Sequence, residues 1–181
     1  GYPLSLSINS FSREIFSRHN SLEITYVLKG EYEVITENFS HIIKEHELVI
    51  IAPNDIHIIR QHSNEENVIL TIHIDFSLFP PAMVGEIGQA YESIVCTNKK
   101  NLHLLKKLKI QIGKLFRILL SDSNNLFELN TSMMEIIYTT SNHMQYPIER
   151  LPTQSIHREN YMKAIQYIDK HYKEDLRLTD V

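Results

Sequence analysis

Cysteine is almost absent: Cys96 stands alone in a chain of 181 residues. No intrachain disulfide can form, and a reducing, cytoplasmic setting is the simplest expectation. Long hydrophobic runs are missing too. None approaches the roughly 20 residues of a membrane helix, and no secretory signal is read at the start. Basic charge is in short supply, with 18 Lys and Arg against 22 Asp and Glu, a net charge of −4. Duplex binding draws on Lys and Arg at phosphates, so this piece is not expected to grip DNA by itself. No G-x-G-x-x-G, Walker A, H-E-x-x-H or Cys-x-x-Cys motif occurs, which removes the commonest nucleotide, zinc-protease and dithiol chemistries. The chain opens on Gly1 rather than Met, which points to a piece cut from a longer protein.

What remains is enough for one globular domain and a helical appendage. The organising stretch runs from Arg18 to His57. Two strand-like runs, Glu23–Lys29 and Glu31–Thr36, meet at Gly30, where a tight hairpin turn would use the glycine's freedom at positive φ. A third apolar run, Leu48–Ala52, stops at Pro53-Asn54-Asp55, and strand character resumes at Ile56. Leu4–Asn9 alternates apolar and polar residues, the period of a half-buried strand or of an arm laid over one. His41–Lys44 and His57–Arg60 are short strands, and Val68–Phe76 is a long one. In it Ile72, Ile74 and Phe76 share one face, and Thr71, His73 and Asp75 the other. Strands at this spacing predict a sandwich or barrel.

The stretch resembles a cupin, a small antiparallel β-barrel with a first motif H-x-H-x(3,4)-E-x(6)-G. His19, Glu23 and Gly30 take the second His, the Glu and the Gly, while Ser17 stands where the first His belongs. Pro53 and His57 match the second motif loosely.

Pro80-Pro81 is expected to end the β half, and the segment around Gly85 and Gly88 has room for a short helix. From Leu102 the period becomes helical. Leu105, Leu108, Ile112, Leu115 and Leu119 form a heptad seam, and Leu126, Leu129, Met133, Ile136 and Thr140 repeat it on a second helix. A short link predicts an antiparallel pair. Residues 146–160 read as a linker. Tyr161–Tyr172 then forms an amphipathic helix, followed by L-R-L-T-D-V at the end. An A-x-x-Y-I-x-x-H-Y helix with an L-x-L-x-D-V turn resembles the start of the DNA-binding domain of AraC/XylS-family transcription regulators. The order of barrel, helical pair, linker and DNA-binding domain is similar to theirs as well.

That resemblance implies a fold that is mainly β plus α: a cupin-like effector-binding barrel over 1–80, a helical dimerisation region over 81–145, a linker over 146–160, and over 161–181 the first helix of a truncated helix-turn-helix domain. It implies a homodimer held by Leu105, Leu108, Ile112, Leu115 and Leu119, and a small-molecule effector, sugars among the candidates. DNA would be reached only through the absent C-terminal part.

His19, Glu23, His57 and His73 are the polar residues expected to meet inside the barrel, with Tyr26 beside them. Three roles fit these residue types. They hydrogen-bond an effector in a barrel mouth; they ligate Fe, Mn, Zn or Ni, as in a metal-dependent cupin dioxygenase or isomerase; or they are structural groups satisfied by one another. The missing first His argues against the metal. The expectation is therefore an effector site on His19, Glu23, Tyr26, His57 and His73, with no catalytic metal, no cofactor and no enzymatic activity.

Overall fold

Side-chain alternation decides the architecture. The computed structural model describes residues 1–10, 14–63, 66–79, 92–121 and 125–144. Its strands are β1 (Leu4–Asn9), β2 (Ile15–Ser17), β3 (Ser21–Lys29), β4 (Glu31–Thr36), β5 (Ser40–Lys44), β6 (Leu48–Ile51), β7 (His57–Gln61), β8 (Val68–Asp75) and β9 (Ile94–Cys96). Two helices follow, α1 (Leu102–Leu120) and α2 (Leu126–Met144). All pairings are antiparallel. The strands form a five-stranded sheet in the order β1-β8-β3-β6-β9 and a four-stranded sheet in the order β2-β7-β4-β5. This is a cupin-like β fold with a helical pair packed on one side.

Each central strand of the larger sheet serves two cores. On β3, Leu22 and Ile24 face the helices, while Val27 faces the smaller sheet. On β8, Leu70, Ile72 and Ile74 take the helix side and Ile69 the inner side. All four residues of β6, Leu48–Ile51, are buried for the same reason. The inner core lies between the sheets, around Val27, Tyr32, Val34, Ile43, Val49, Ile51, Ile59, Ile69 and Val95. The outer core joins the larger sheet to Leu104, Leu105, Leu108, Ile112 and Leu115 of α1 and Met133, Ile136 and Ile137 of α2.

Three expectations change here. Gly30 has the positive φ of 82° that the sequence called for, but it does not close a hairpin. β3 pairs with β6 and β8, whereas β4 pairs with β5 and β7. Gly30 therefore passes the chain from one sheet to the other. Space is a second constraint there: a Cβ would come within 1.9 Å of Asn67 Oδ1, the atom that accepts from the Glu31 backbone N–H at 2.8 Å. The sheet also does not end at Pro80-Pro81. Ile94–Cys96 returns to pair with Leu48–Ile50 of β6, so the β part reaches past the expected boundary at residue 80.

The third change concerns the heptad seam. Leu105, Leu108, Ile112 and Leu115 are buried by their own chain, against the larger sheet and α2. A second copy cannot reach them without opening that core, because the period of a helix does not say which surface covers it. Leu119, by contrast, is exposed. The two helices are tied across their outer side by Lys114 Nζ to Glu135 at 2.9 Å and by Gln111 Nε2 to Thr139 Oγ1 at 2.9 Å. No helix among the described residues is long and apolar enough to cross a membrane.

The chain divides into two compact units, Gly1–Gln145 and Tyr146–Val181. The expected helix near Gly85, the linker and the start of the DNA-binding domain lie outside the described residues.

Leu108 is fully buried, so Leu108→Ala should cost about 2–5 kcal/mol in urea unfolding. Leu115→Glu places an unpaired charge in the outer core and should unfold the chain. A folded, monomeric Leu115→Glu variant in circular dichroism and light scattering would return this seam to an interface.

Candidate functional site

The same alternation that builds the inner core leaves a polar end to it. Glu23 and Thr25 share the parity of Val27 on β3, His73 that of Ile69 on β8, and His57 that of Ile59 on β7. Register brings them level: Glu23 is paired with His73, and His57 with Ser17 and Thr36. His19 lies just before β3, where Asn54 of the Pro53–Asp55 turn donates its backbone N–H to the His19 carbonyl at 2.8 Å. Asn54 reaches that contact at a φ of 64°, a left-handed position that Asn tolerates.

The Glu23 carboxylate is the centre. Its Oε2 lies 2.7 Å from His19 Nε2, 3.2 Å from His57 Nε2 and 3.9 Å from His73 Nδ1. Its Oε1 accepts from Thr25 Oγ1 at 2.6 Å. The side chains of Glu23 and His57 are 4% and 2% exposed, those of His19 and His73 25% and 31%. The first pair is thus the floor and the second the mouth. The rings crowd edge to face, His19 with His73 at 4.7 Å between centroids and His19 with His57 at 5.2 Å.

Outer hydrogen bonds fix the rings. His19 Nδ1 donates to the Ser21 carbonyl at 3.2 Å, and His57 Nδ1 to the Asp55 carbonyl at 3.1 Å. Each ring therefore aims Nε2 at the carboxylate. Asp55 is itself held, since its carboxylate accepts from Ser93 Oγ, which in turn accepts from the Ala52 backbone N–H at 2.9 Å.

Tyr26 does not join them. It has the parity of Leu22 and Ile24, and so it faces the helices. Its hydroxyl meets His46 Nδ1 at 3.2 Å, and Lys109 Nζ sits 5.8 Å from its ring centroid. The effector role expected for Tyr26 is withdrawn on parity. Tyr32 is core between the sheets and Phe76 core beneath the helices. Thr25 and Ser93 were missed by sequence reading. Thr25 stands two residues from Glu23 on one strand, so parity could have found it; Ser93 lies 38 residues from Asp55 with no local signal.

Could this set hold a metal? Ligand atoms of His19, Glu23 and His73 all lie within 4.8 Å of one another. Two ligands of one ion at about 2.1 Å each stand no more than about 4.2 Å apart, so a small ring movement would suffice. His19, whose far nitrogen donates to the Ser21 carbonyl, has the outer hydrogen bond usual for a metal-bound imidazole. The donor set fits a transition metal of the Fe, Mn, Zn or Ni kind; the expectation of no metal rests on the missing His at Ser17 and the loose register of His57 in the motif.

Electrostatics follow from burial and contacts. Burial alone would raise the Glu23 carboxyl. Hydrogen bonds from His19 and His57, the His57 charge and the Thr25 hydroxyl outweigh it and hold the group far below the usual carboxylate range. Burial lowers His57 as well, but the Glu23 hydrogen bond and charge, then the Asp55 carbonyl and charge, leave it raised. At His73 burial wins, and the group is lowered despite Glu23.

A raised histidine stabilises the fold fully below its ordinary value of about 6.5 and loses that contribution as pH rises through its folded value. A lowered histidine does the reverse, and its contribution fades as pH falls below about 6.5. Glu23 adds a further loss below about 4.3, as pH falls toward its depressed folded value. Urea midpoints across pH should therefore peak near pH 6.5. His57→Gln should flatten the alkaline limb and Glu23→Gln the acidic limb below about 4.3; a parent still gaining stability from pH 6.5 to 8 would contradict these assignments.

The chain is similar to proteins of known fold. Among solved structures it resembles a cupin-2 domain protein from Shewanella frigidimarina at 16% identity, covering 40% of this chain and 71% of that one, with a TM-score of 0.36. A cupin superfamily protein from Desulfitobacterium hafniense gives 14% identity, 40% and 68% coverage, and a TM-score of 0.38. A cupin 2 conserved barrel domain protein from Salinispora arenicola gives 17%, 41% and 66%, and 0.37. No curated protein matches the sequence. The family described as the AraC-like ligand binding domain matches residues 6–136, from β1 into α2. That span covers most of the chain, including the polar barrel mouth, and the chain belongs to the AraC-like ligand-binding domain family.

Proposed function

We propose that this chain is the sensing part of a cytoplasmic, AraC-type transcription regulator and not an enzyme. A small effector, sugars among the candidates, docks at the polar rim that His19 and His73 form over Glu23. Its presence controls a C-terminal helix-turn-helix domain, which alone contacts specific DNA. The observation that carries the reading is the polar cluster at the open end of the inner core, inside a family defined by ligand binding. One buried carboxylate with imidazoles at its rim gives a ligand both acceptors and donors, the few placed polar groups that fix orientation in a barrel mouth.

A second reading has its own observation. The three donors gathered within 4.8 Å favour a divalent transition metal held by His19, Glu23 and His73, with His57 at the floor. A bound ion would offer Lewis acidity and an open position to a ligand oxygen. It would add to the sensing role rather than replace it.

The regulator is proposed to act as a homodimer, since paired half-sites suit a twofold pair. With the seam occupied internally, support for an interface comes from Ile110, Leu120, Phe127 and Tyr138. All are exposed on the helical pair, and Gly113, near Ile110 on α1, has open space around it.

A thermal-shift screen of monosaccharides and other small polar metabolites should find compounds that raise the midpoint. Glu23→Gln and His73→Ala should abolish those shifts while staying folded. Hits that survive both substitutions would move the pocket elsewhere. Light scattering at micromolar concentration should give twice the chain mass of 21.2 kDa, falling to one chain in Ile110→Glu/Phe127→Glu; a monomeric parent refutes the dimer.

A further inference from the structure

A carboxylate can hold an ion through one oxygen or through both. At Glu23 one oxygen is already committed. Thr25 is wholly buried, and its Oγ1 donates to Glu23 Oε1 at 2.6 Å, the short length of a charge-assisted hydroxyl bond. The other oxygen, Oε2, is the atom that His19, His57 and His73 approach.

Packing does not explain the hydroxyl. The cross-strand partners of Thr25 are Val49 and Thr71, and the core beside it contains Val27, Val49 and Ile69. Valine would fill the same volume without a hydroxyl to desolvate. The end torsion of a glutamate is broad and two-fold, so an uncapped carboxylate in this crowd could turn and share both oxygens.

We propose that Thr25 is the positioning residue of the site, holding Glu23 Oε1 so that Oε2 alone is presented as a single-oxygen ligand to a divalent transition metal alongside His19 and His73. The inference rests on the metal reading above and adds what sets the carboxylate's binding mode. Thr25 does not itself contact the ion; it acts through Glu23, whose Oε1 it holds.

The test is Co²⁺ titration of the intact chain, read by calorimetry and by the visible absorption of the bound ion, which reports coordination number. The parent should bind one Co²⁺, and Glu23→Gln should lose it. Thr25→Val and Thr25→Ala should stay folded by circular dichroism, bind Co²⁺ about 10–100-fold more weakly, and show a changed visible spectrum. Thr25→Ser, which keeps the hydroxyl, should restore affinity and spectrum together. A folded Thr25→Val or Thr25→Ala with the parent's affinity and spectrum overturns the inference and leaves the metal reading standing. Loss of affinity in Thr25→Ser equal to that in Thr25→Val also overturns it, because the hydroxyl would then not be what matters. A parent that binds no stoichiometric Co²⁺, or keeps it in Glu23→Gln, overturns the metal reading itself.

Discussion

A carboxylate with 4% of its side chain exposed sets the terms for everything around it. Taking an ionised Glu out of water costs several kcal/mol unless partners replace the lost solvent. Here the partners come from three strands and from the segment between β2 and β3. Thr25 caps one oxygen from the same strand, His57 arrives from the second sheet, His73 from the neighbouring strand, and His19 from the segment held by Asn54. Thr25 and His19 lie within four residues of Glu23, but His57 and His73 arrive only through the tertiary fold. The two sheets must close for the carboxylate to be satisfied, so the site and the fold form together. Removing one partner leaves the rest crowded around an unmatched charge, which is why such clusters are costly to break singly.

Much of this was legible in the sequence. The strands of the Arg18–His57 stretch, the long strand through Ile72 and both helices emerge from side-chain period and from turn residues such as Pro53 and Gly30. His73 and Glu23 could be put on inner faces by counting in twos. What failed was of one kind: period says which residues share a face, not what covers that face. The seam through Leu105, Leu108, Ile112 and Leu115 has the spacing of a coiled coil and is covered by its own sheet. Gly30 has a hairpin turn's conformation yet joins strands of different sheets. Tyr26 was placed in the pocket for its chemistry although its parity matched Ile24 and not Glu23. Counting would have excluded Tyr26 and admitted Thr25.

Other features carried no local signal at all. β9 is three residues long, too short for a period, and its partner β6 lies more than forty positions earlier in the chain. Ser93 reaches Asp55 over a similar separation. Contacts of this range are set by how the sheets close, after the strands exist. They matter to the site because Asp55 offers the carbonyl that orients His57. The contacts that hold the ring of His57 in place are thus the part least visible in one sequence, even where His57 and Glu23 stand out.

The larger sheet is the wall between pocket and helices, and that position gives it a mechanical consequence. β3 presents Glu23 and Thr25 on one face and Ile24 and Tyr26 on the other, one residue apart. β8 does the same with His73 and Ile72. Interiors packed to crystal-like density do not absorb displacement without repacking. On the proposed role, a ligand drawing on Oε2 of Glu23 would act on a strand whose other face belongs to the same core as Leu105, Leu108 and Ile112 of α1. The polar link of Asp55 to Ser93 adds a second route, since Ser93 leads into β9 and Asn101, at the head of α1, holds the Val95 carbonyl at 2.8 Å. Pocket and helical pair therefore share their walls rather than lying at opposite ends of a long relay. Under the sensing role proposed above, that shared wall is the shortest physical path the fold offers from the polar cluster to the helices.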